Sequence, residues 1–255
     1  MINFTPIEYF SLGFIIISTH GLMIAIGVLI AYLFLRKEAK EQGTKIKTID
    51  DLMTWAIIGG IVGARIFYVA LNPQYYQNII DAFKVWEGGL VSFGGIIGGV
   101  LAMYVYTRIK RLNFLDIADL VIPYGLLGWG IDRIGDFLSW GEFGTVTSMP
   151  WGINVGEGVG RHPTQLYTLF ILLAGFFIIQ KLKKSKQKKF AGYYFLLSVG
   201  FYFTHRFLLE FIRDYPGDSS IISYNLFAQA VSFLLIILSL YFFIVFRKRA
   251  QGITT

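Results

Sequence analysis

Seven apolar runs constrain this chain more than any other feature, at about 13–35, 52–71, 88–107, 114–131, 163–180, 191–211 and 225–246. Crossing the hydrocarbon core of a bilayer takes about 20 predominantly apolar residues as a helix. Seven such spans therefore use most of the 255 residues and leave short connections. Charged residues make up 15% of the chain, against roughly a quarter in soluble domains. The expected fold is an all-α polytopic membrane protein, one membrane domain over residues 1–255.

The 23 Lys and Arg residues orient it. Seventeen of them fall in Arg36–Lys47, Arg108–Arg111, Lys181–Lys189 and Arg247–Arg249, which a seven-span arrangement puts on one side. The positive-inside rule makes that side cytoplasmic, with the N-terminus outside and the C-terminus inside. The residues before Ile17 have no basic flank and no small-residue cleavage pattern, so they read as the entry to the first helix rather than a leader. Basic clusters placed this way are solvated loops, not a nucleic-acid surface. Without cysteine there is no disulfide or thiolate, and three histidines make a structural zinc site a poor fit. No metal or other cofactor is expected.

Outside those clusters stand Arg65, Lys84, Arg133, Arg161, Arg206 and Arg213. All lie in outer halves of spans or in outer loops. Charge in or beside a bilayer is costly and needs a partner or a task, and the planar guanidinium suits phosphate. The segment 132–162, with Gly135, Gly141, Gly144, Pro150, Gly152, Gly156, Gly158 and Gly160, reads as a small outer-face element of turns and short strands. Gly59, Gly60 and Gly63 in one span and Gly94, Gly95, Gly98 and Gly99 in the next admit two readings: close helix packing, or backbone approach to a ligand.

Four constellations carry chemistry. Tyr202, Arg206, Glu210 and Arg213 fall within about 80° on a helical wheel, either a self-neutralised pair at a helix end or a site. Arg133, between Asp132 and Asp136, is an interfacial network or a ligand contact. Arg161-His162-Pro163-Thr164-Gln165 opens the fifth helix, whose free N–H groups attract anions; His162 is either part of that site or a cap. Arg65, with no acidic neighbour in its own helix, requires a partner from elsewhere, an acidic group such as Glu210 or an anionic ligand. His20, at similar depth in the first span, is a core histidine or a functional one. One outer polar level with apolar inner halves fits a lipid phosphate better than a channel.

In order, His20-Gly-Leu-Met, Gly63-Ala-Arg65-Ile-Phe-Tyr68, Trp86-Glu-Gly-Gly-Leu, Phe93-Gly-Gly-Ile-Ile-Gly, Arg133-Ile-Gly-Asp-Phe, Gly144, His162-Pro-Thr-Gln-Leu-Tyr and Arg206-Phe-Leu-Leu-Glu210-Phe-Ile-Arg213 run through nearly the whole chain. This set resembles the prolipoprotein diacylglyceryl transferases. These membrane enzymes move the diacylglyceryl group of phosphatidylglycerol to the lipobox cysteine of a preprolipoprotein, forming a thioether and releasing glycerol phosphate. The resemblance implies a multi-pass cell-membrane protein and catalytic roles for Arg133 and Arg206, with Glu210 one turn on. It also implies a place at the site for Gly144 and Tyr202, and with the residue reading above Arg65, Asp136, Arg161, His162, Gln165 and Arg213 complete the expected substrate-binding set. Four positions depart from the family pattern: His20 stands for a tyrosine, Phe93 for a histidine or tyrosine, Asp136 for an asparagine, and Glu142 is displaced by one position. Phe93 cannot accept a proton, which leaves His20 or the departing phosphate oxygen for that role. A relative with another phospholipid or acceptor, and a non-catalytic lipid-binding protein, are the alternative readings.

Overall fold

The computed structural model describes residues 1–13, 15–75, 78, 80, 83–84, 88–185, 188–215 and 224–252. Trp86 and Glu87, and several residues of the segment before them, lie outside the described residues. Among the described residues there are seven α-helices: α1 (Thr19–Glu41), α2 (Ile46–Leu71), α3 (Ser92–Ile109), α4 (Phe114–Leu138), α5 (Thr164–Lys184), α6 (Tyr193–Leu209) and α7 (Tyr224–Ala250). Each apolar run holds one of them. Helices α1, α2, α4, α5 and α7 are 21 to 27 residues long and apolar enough to cross a membrane. At about 1.5 Å per residue, the shortest of these matches the hydrocarbon thickness. With 18 and 17 residues, α3 and α6 are shorter.

The chain divides into two compact units, Arg36–Ile117 and the remainder. In the first, α2 and α3 pack antiparallel through their glycines. A Cβ added to Gly59 or Gly63 would overlap the carbonyl oxygens of Gly98 or Gly94. Those glycines therefore serve helix contact, where backbones approach closely without side chains between them. At one end, Arg36 pairs with Asp50 at 3.4 Å and the Tyr106 hydroxyl donates to Asp51 at 3.3 Å.

The second unit holds most of α1 and α4, together with α5, α6 and α7. Two short strands, β1 (Ile2–Asn3) and β4 (Ile153–Asn154), pair parallel, and β2 (Tyr9–Leu12) pairs antiparallel with β3 (Ile15–Ser18). Helix therefore begins at Thr19, later than the apolar run. The β-branched stretch Ile15–Ile17 takes strand pairing instead. Gly27 of α1 lies against Gly128 of α4. The buried Asp119 of α4 accepts from Gly192 N at 2.9 Å and Phe195 N at 2.8 Å, capping α6 from a neighbouring helix.

A second difference concerns the start of the non-helical segment. Residues 132–138 are helical, because α4 continues to Leu138. It ends where Trp140 takes a left-handed φ of 57° and Gly141 N closes onto the Asp136 carbonyl at 2.8 Å. Asp132, Arg133 and Asp136 thus sit on a rigid helix rather than in a loop. From 139 to 163 the chain has no helix among its described residues. It is laced by isolated bridges, Gly144 to Arg213 and Arg161 to Val146 and Ile153.

Candidate active site

The last turns of α4 place Asp132, Arg133 and Asp136 together. The Arg133 guanidinium, buried to 7% exposure, lies 3.1 Å from Asp132 and also contacts Asp136. From the first turn of α1, His20 Nδ1 comes 2.8 Å from Asp136 Oδ1 and 3.5 Å from Asp132 Oδ1. These three side chains have the spacing of a cation site. Arg133 already supplies positive charge to both carboxylates.

The second half is built at the end of α6. Glu210, 1% exposed, forms an ion pair with Arg206, whose Nε lies 2.8 Å away, and accepts from the Tyr215 hydroxyl at 3.1 Å and from Arg213 Nη1 at 3.5 Å. Arg206 Nη2 in turn donates to the Tyr215 oxygen at 3.2 Å. Helix α6 stops at Leu209, so the wheel drawn from the sequence does not extend to Arg213. Backbone pairing brings Arg213 in instead: Gly144 N donates to His162 O at 2.9 Å, Thr145 N to Ile212 O at 2.9 Å and Asp214 N to Phe143 O at 3.2 Å. Asn225 Nδ2 ties the carbonyls of Glu210 and Arg213 from α7 at 3.1 and 3.0 Å. Gly144 is needed for close approach, since a Cβ there would lie 2.7 Å from both His162 Cβ and Ile212 O.

Glu142 joins the two halves. Its Oε2 accepts from Arg133 Nη1 at 2.6 Å and from Arg213 Nη2. It sits at φ 53° on the turn after α4, and its carbonyl accepts the Thr164 hydroxyl at 2.6 Å. The buried Gln165 side chain supports the same turn by donating to Gly141 O. Glu142 and Tyr215 were not among the sequence candidates for the site. The family pattern pointed to Glu142, but its one-position displacement obscured it; nothing local marks Tyr215.

The guanidinium groups therefore do not form a bare cationic ring. Arg133, Arg206 and Arg213 are set among Asp132, Asp136, Glu142 and Glu210, because buried charge persists only when paired and hydrogen-bonded. Arg206 is the most open of the three, its side chain 25% exposed against 8% for Arg133 and 2% for Arg213. Outside the spans, burial, only partly offset by Arg206, pushes the Tyr215 phenol above the ordinary tyrosine value. It therefore stays a hydrogen-bond donor.

Other candidates lie elsewhere. Arg161 is held by Glu157 at 2.7 Å and Asp214 at 2.6 Å, and stacks over Phe143. The hydrogen bond to Glu157, with that to Asp214, holds its charge more firmly than usual. His162 does not cap α5; its Nδ1 pairs with the Tyr167 hydroxyl at 3.0 Å, which also accepts from Trp151 Nε1. Tyr202 packs on Trp129, the ring that also faces Arg133. His205 Nε2 lies 3.2 Å from Thr168 Oγ1. Arg65 belongs to the other unit and donates to the Gly88 and Gly89 carbonyls at 2.5 and 3.2 Å. Beside Leu209 and Ile212, an apolar cavity of about 390 Å³ opens along α5 and α6, lined also by Tyr167, Ile171, Phe201 and His205.

Helices of spanning length, with a buried acid–arginine network and an imidazole at its edge, define a multi-pass membrane enzyme with a polar site near its helix ends. Comparison with known proteins gives the family. The family model described as prolipoprotein diacylglyceryl transferase matches residues 8–245. Proteins named phosphatidylglycerol–prolipoprotein diacylglyceryl transferase are similar over most of their length. The protein of Clostridioides difficile is 39% identical over 88% of this chain and 89% of its own. That of Thermotoga maritima is 34% identical over 95% and 85%, and that of Geobacter sulfurreducens 32% over 96% of each. The chain belongs to the prolipoprotein diacylglyceryl transferase family.

Proposed function

We propose that this protein transfers the diacylglyceryl group of phosphatidylglycerol to the lipobox cysteine of a preprolipoprotein, the first step of lipoprotein maturation. Family membership supports the reaction class, and the geometry around Arg206 supports the site. Glu210 fixes its Nε and Tyr215 occupies Nη2, while Nη1 has no partner among the described residues. A guanidinium held on one edge and open on the other is preorganised for a phosphate oxygen.

In this reading the acceptor thiol attacks the glyceryl carbon that bears the phosphoester. The carbon–sulfur bond forms, the carbon–oxygen bond breaks, and its electron pair leaves on glycerol phosphate. Arg206 meets that developing charge directly. Arg133 and Arg213 supply positive potential behind it, with Glu142 and Glu210 holding them in place. His20 takes the thiol proton, because a thiol of ordinary pKa about 8.5 reacts as its thiolate. The apolar cavity along α5 and α6 suits an acyl chain of the donor. Gly144, His162, Gln165 and Tyr202 shape the site by packing, and Arg161 braces the segment that carries it.

Seven spans, an outer N-terminus, a cytoplasmic C-terminus and the plasma membrane complete the proposal. The one-sided placement of the basic clusters supports this orientation, with the segment after α4 on the outer face. The decisive experiment incubates the purified protein with labelled phosphatidylglycerol vesicles and a lipobox peptide. Thioether product with stoichiometric glycerol phosphate is the expected result. Lipid binding without product would instead indicate a non-catalytic member of the family.

A further inference from the structure

The buried carboxylate of Asp136 faces two ways. Oδ1 lies 2.8 Å from His20 Nδ1, and Oδ2 contacts Arg133 Nη1. Its own side chain is 8% exposed, whereas that of His20 is 40% exposed. Nδ1 of His20 is itself buried and meets Asp136 as a close charged contact rather than an aligned hydrogen bond, so the accessible part of the ring is the remainder. Among the described residues Nε2 has no hydrogen-bond partner. The charged groups facing the imidazole are Asp132, Asp136 and Arg133, all from α4. Close backbone packing fixes this relation: a Cβ on Gly135 would lie 2.8 Å from Met23 Cβ and 3.0 Å from His20 Cα. Helix α1 therefore has little freedom to withdraw the imidazole from Asp136.

A neutral imidazole carries one proton, and a carboxylate beside one nitrogen selects that nitrogen to bear it. We propose that Asp136 is a positioning residue for His20: it holds the proton on Nδ1, leaves the Nε2 lone pair outward to accept the thiol proton, and links that acceptor to Arg133. This rests on the transferase reading and deepens it. In the step, the S–H proton moves to Nε2 as the sulfur pair forms the C–S bond. The imidazolium that results is balanced by Asp136, with Asp132 behind it at 3.5 Å. It then returns its proton to solvent or to the departing phosphate. Arg133 and His20, sharing one carboxylate, would thus hold the leaving group and the nucleophile in register.

The test compares wild type, His20→Gln, Asp136→Asn and the double variant in phosphatidylglycerol vesicles with a thiol peptide. General-base contributions of this kind are about 100-fold or more. Each single variant is expected to lower kcat by about that factor with KM for the lipid little changed. Asp136→Asn should slow His20→Gln far less than it slows wild type, and the imidazole limb of the kcat/KM pH profile should vanish in the double variant. The inference is overturned if Asp136→Asn slows His20→Gln as much as it slows wild type, for then it acts through Arg133 alone. It is equally overturned if His20→Gln keeps wild-type kcat. A second measurement separates this from the transferase reading: nitrogen NMR of protein labelled in its three histidines. A Nδ1–H tautomer of His20 that Asp136→Asn disturbs supports the positioning role even if wild type forms no thioether. An undisturbed or Nε2–H tautomer overturns it whatever the activity.

Discussion

Arg133 and Arg213, one on a helix and the other beyond the end of another, donate to the same oxygen of Glu142. That shared carboxylate makes one site of two halves, the end of α4 and the segment after α6. Its side chain is 44% exposed, so the pairing is partly screened by water. Removing one partner of a buried pair costs several kcal/mol, and less when solvent reaches it. Glu142→Gln should destabilise the protein by about 1–2 kcal/mol, read as a lower midpoint of thermal unfolding in detergent. Transferase activity should fall along with it, since both arginines lose a fixed orientation. Unchanged stability and activity would mean the shared oxygen does not organise the site.

Arg206 is the residue proposed to touch the phosphate, and the fork matters as much as the charge. Lysine keeps the charge but cannot hold Glu210 and Tyr215 while reaching a third acceptor. Arg206→Lys should lower kcat/KM for phosphatidylglycerol by about 100-fold, the usual cost of losing one preorganised donor. Steady-state kinetics in mixed micelles measures it. A loss of less than threefold would move the phosphate contact elsewhere.

Gly144 stands where a side chain has no room. A methyl group would press on His162 Cβ and the Ile212 carbonyl, each 2.7 Å away, and open the bridge that brings Arg213 to Glu142. Overpacking of this kind costs about 1–3 kcal/mol. Gly144→Ala is therefore expected to lower the unfolding midpoint and to cut activity by more than the stability change explains at the assay temperature. Parallel melting and activity measurements separate the two effects.

Tyr215 gives the site a signature at high pH. Its folded pKa is raised by burial, so the native state holds the phenolic proton more tightly than the unfolded chain. That contribution is complete below the unfolded value of about 10 and fades as pH rises through the higher folded value. Stability measured by denaturant titration should therefore fall more steeply above about pH 10 in wild type than in Tyr215→Phe. Equal slopes would place the phenol in an ordinary, solvated environment.

Much of this was legible along the chain. Hydropathy is a local property that sums over neighbouring residues, so the apolar runs locate the helices, five of which are long enough to span. The arginines outside the basic clusters were conspicuous for the same reason, because charge next to apolar sequence needs no coordinates to be noticed. The glycines of α2 and α3 were ambiguous until backbone contact resolved them toward packing.

Partnership was not legible, because it depends on distance across space rather than separation along the chain. The sequence by itself determined where apolar helices form, where the basic clusters fall between them, and which arginines stand apart from those clusters. Only the tertiary structure decided that His20 meets Asp136, that Arg65 meets backbone carbonyls, and that a strand-like bridge delivers Arg213. It also decided that Glu142, one residue out of its expected place, closes the network. The reason is physical: a buried charge takes the nearest complementary group that packing brings to it, and packing is settled by the whole fold.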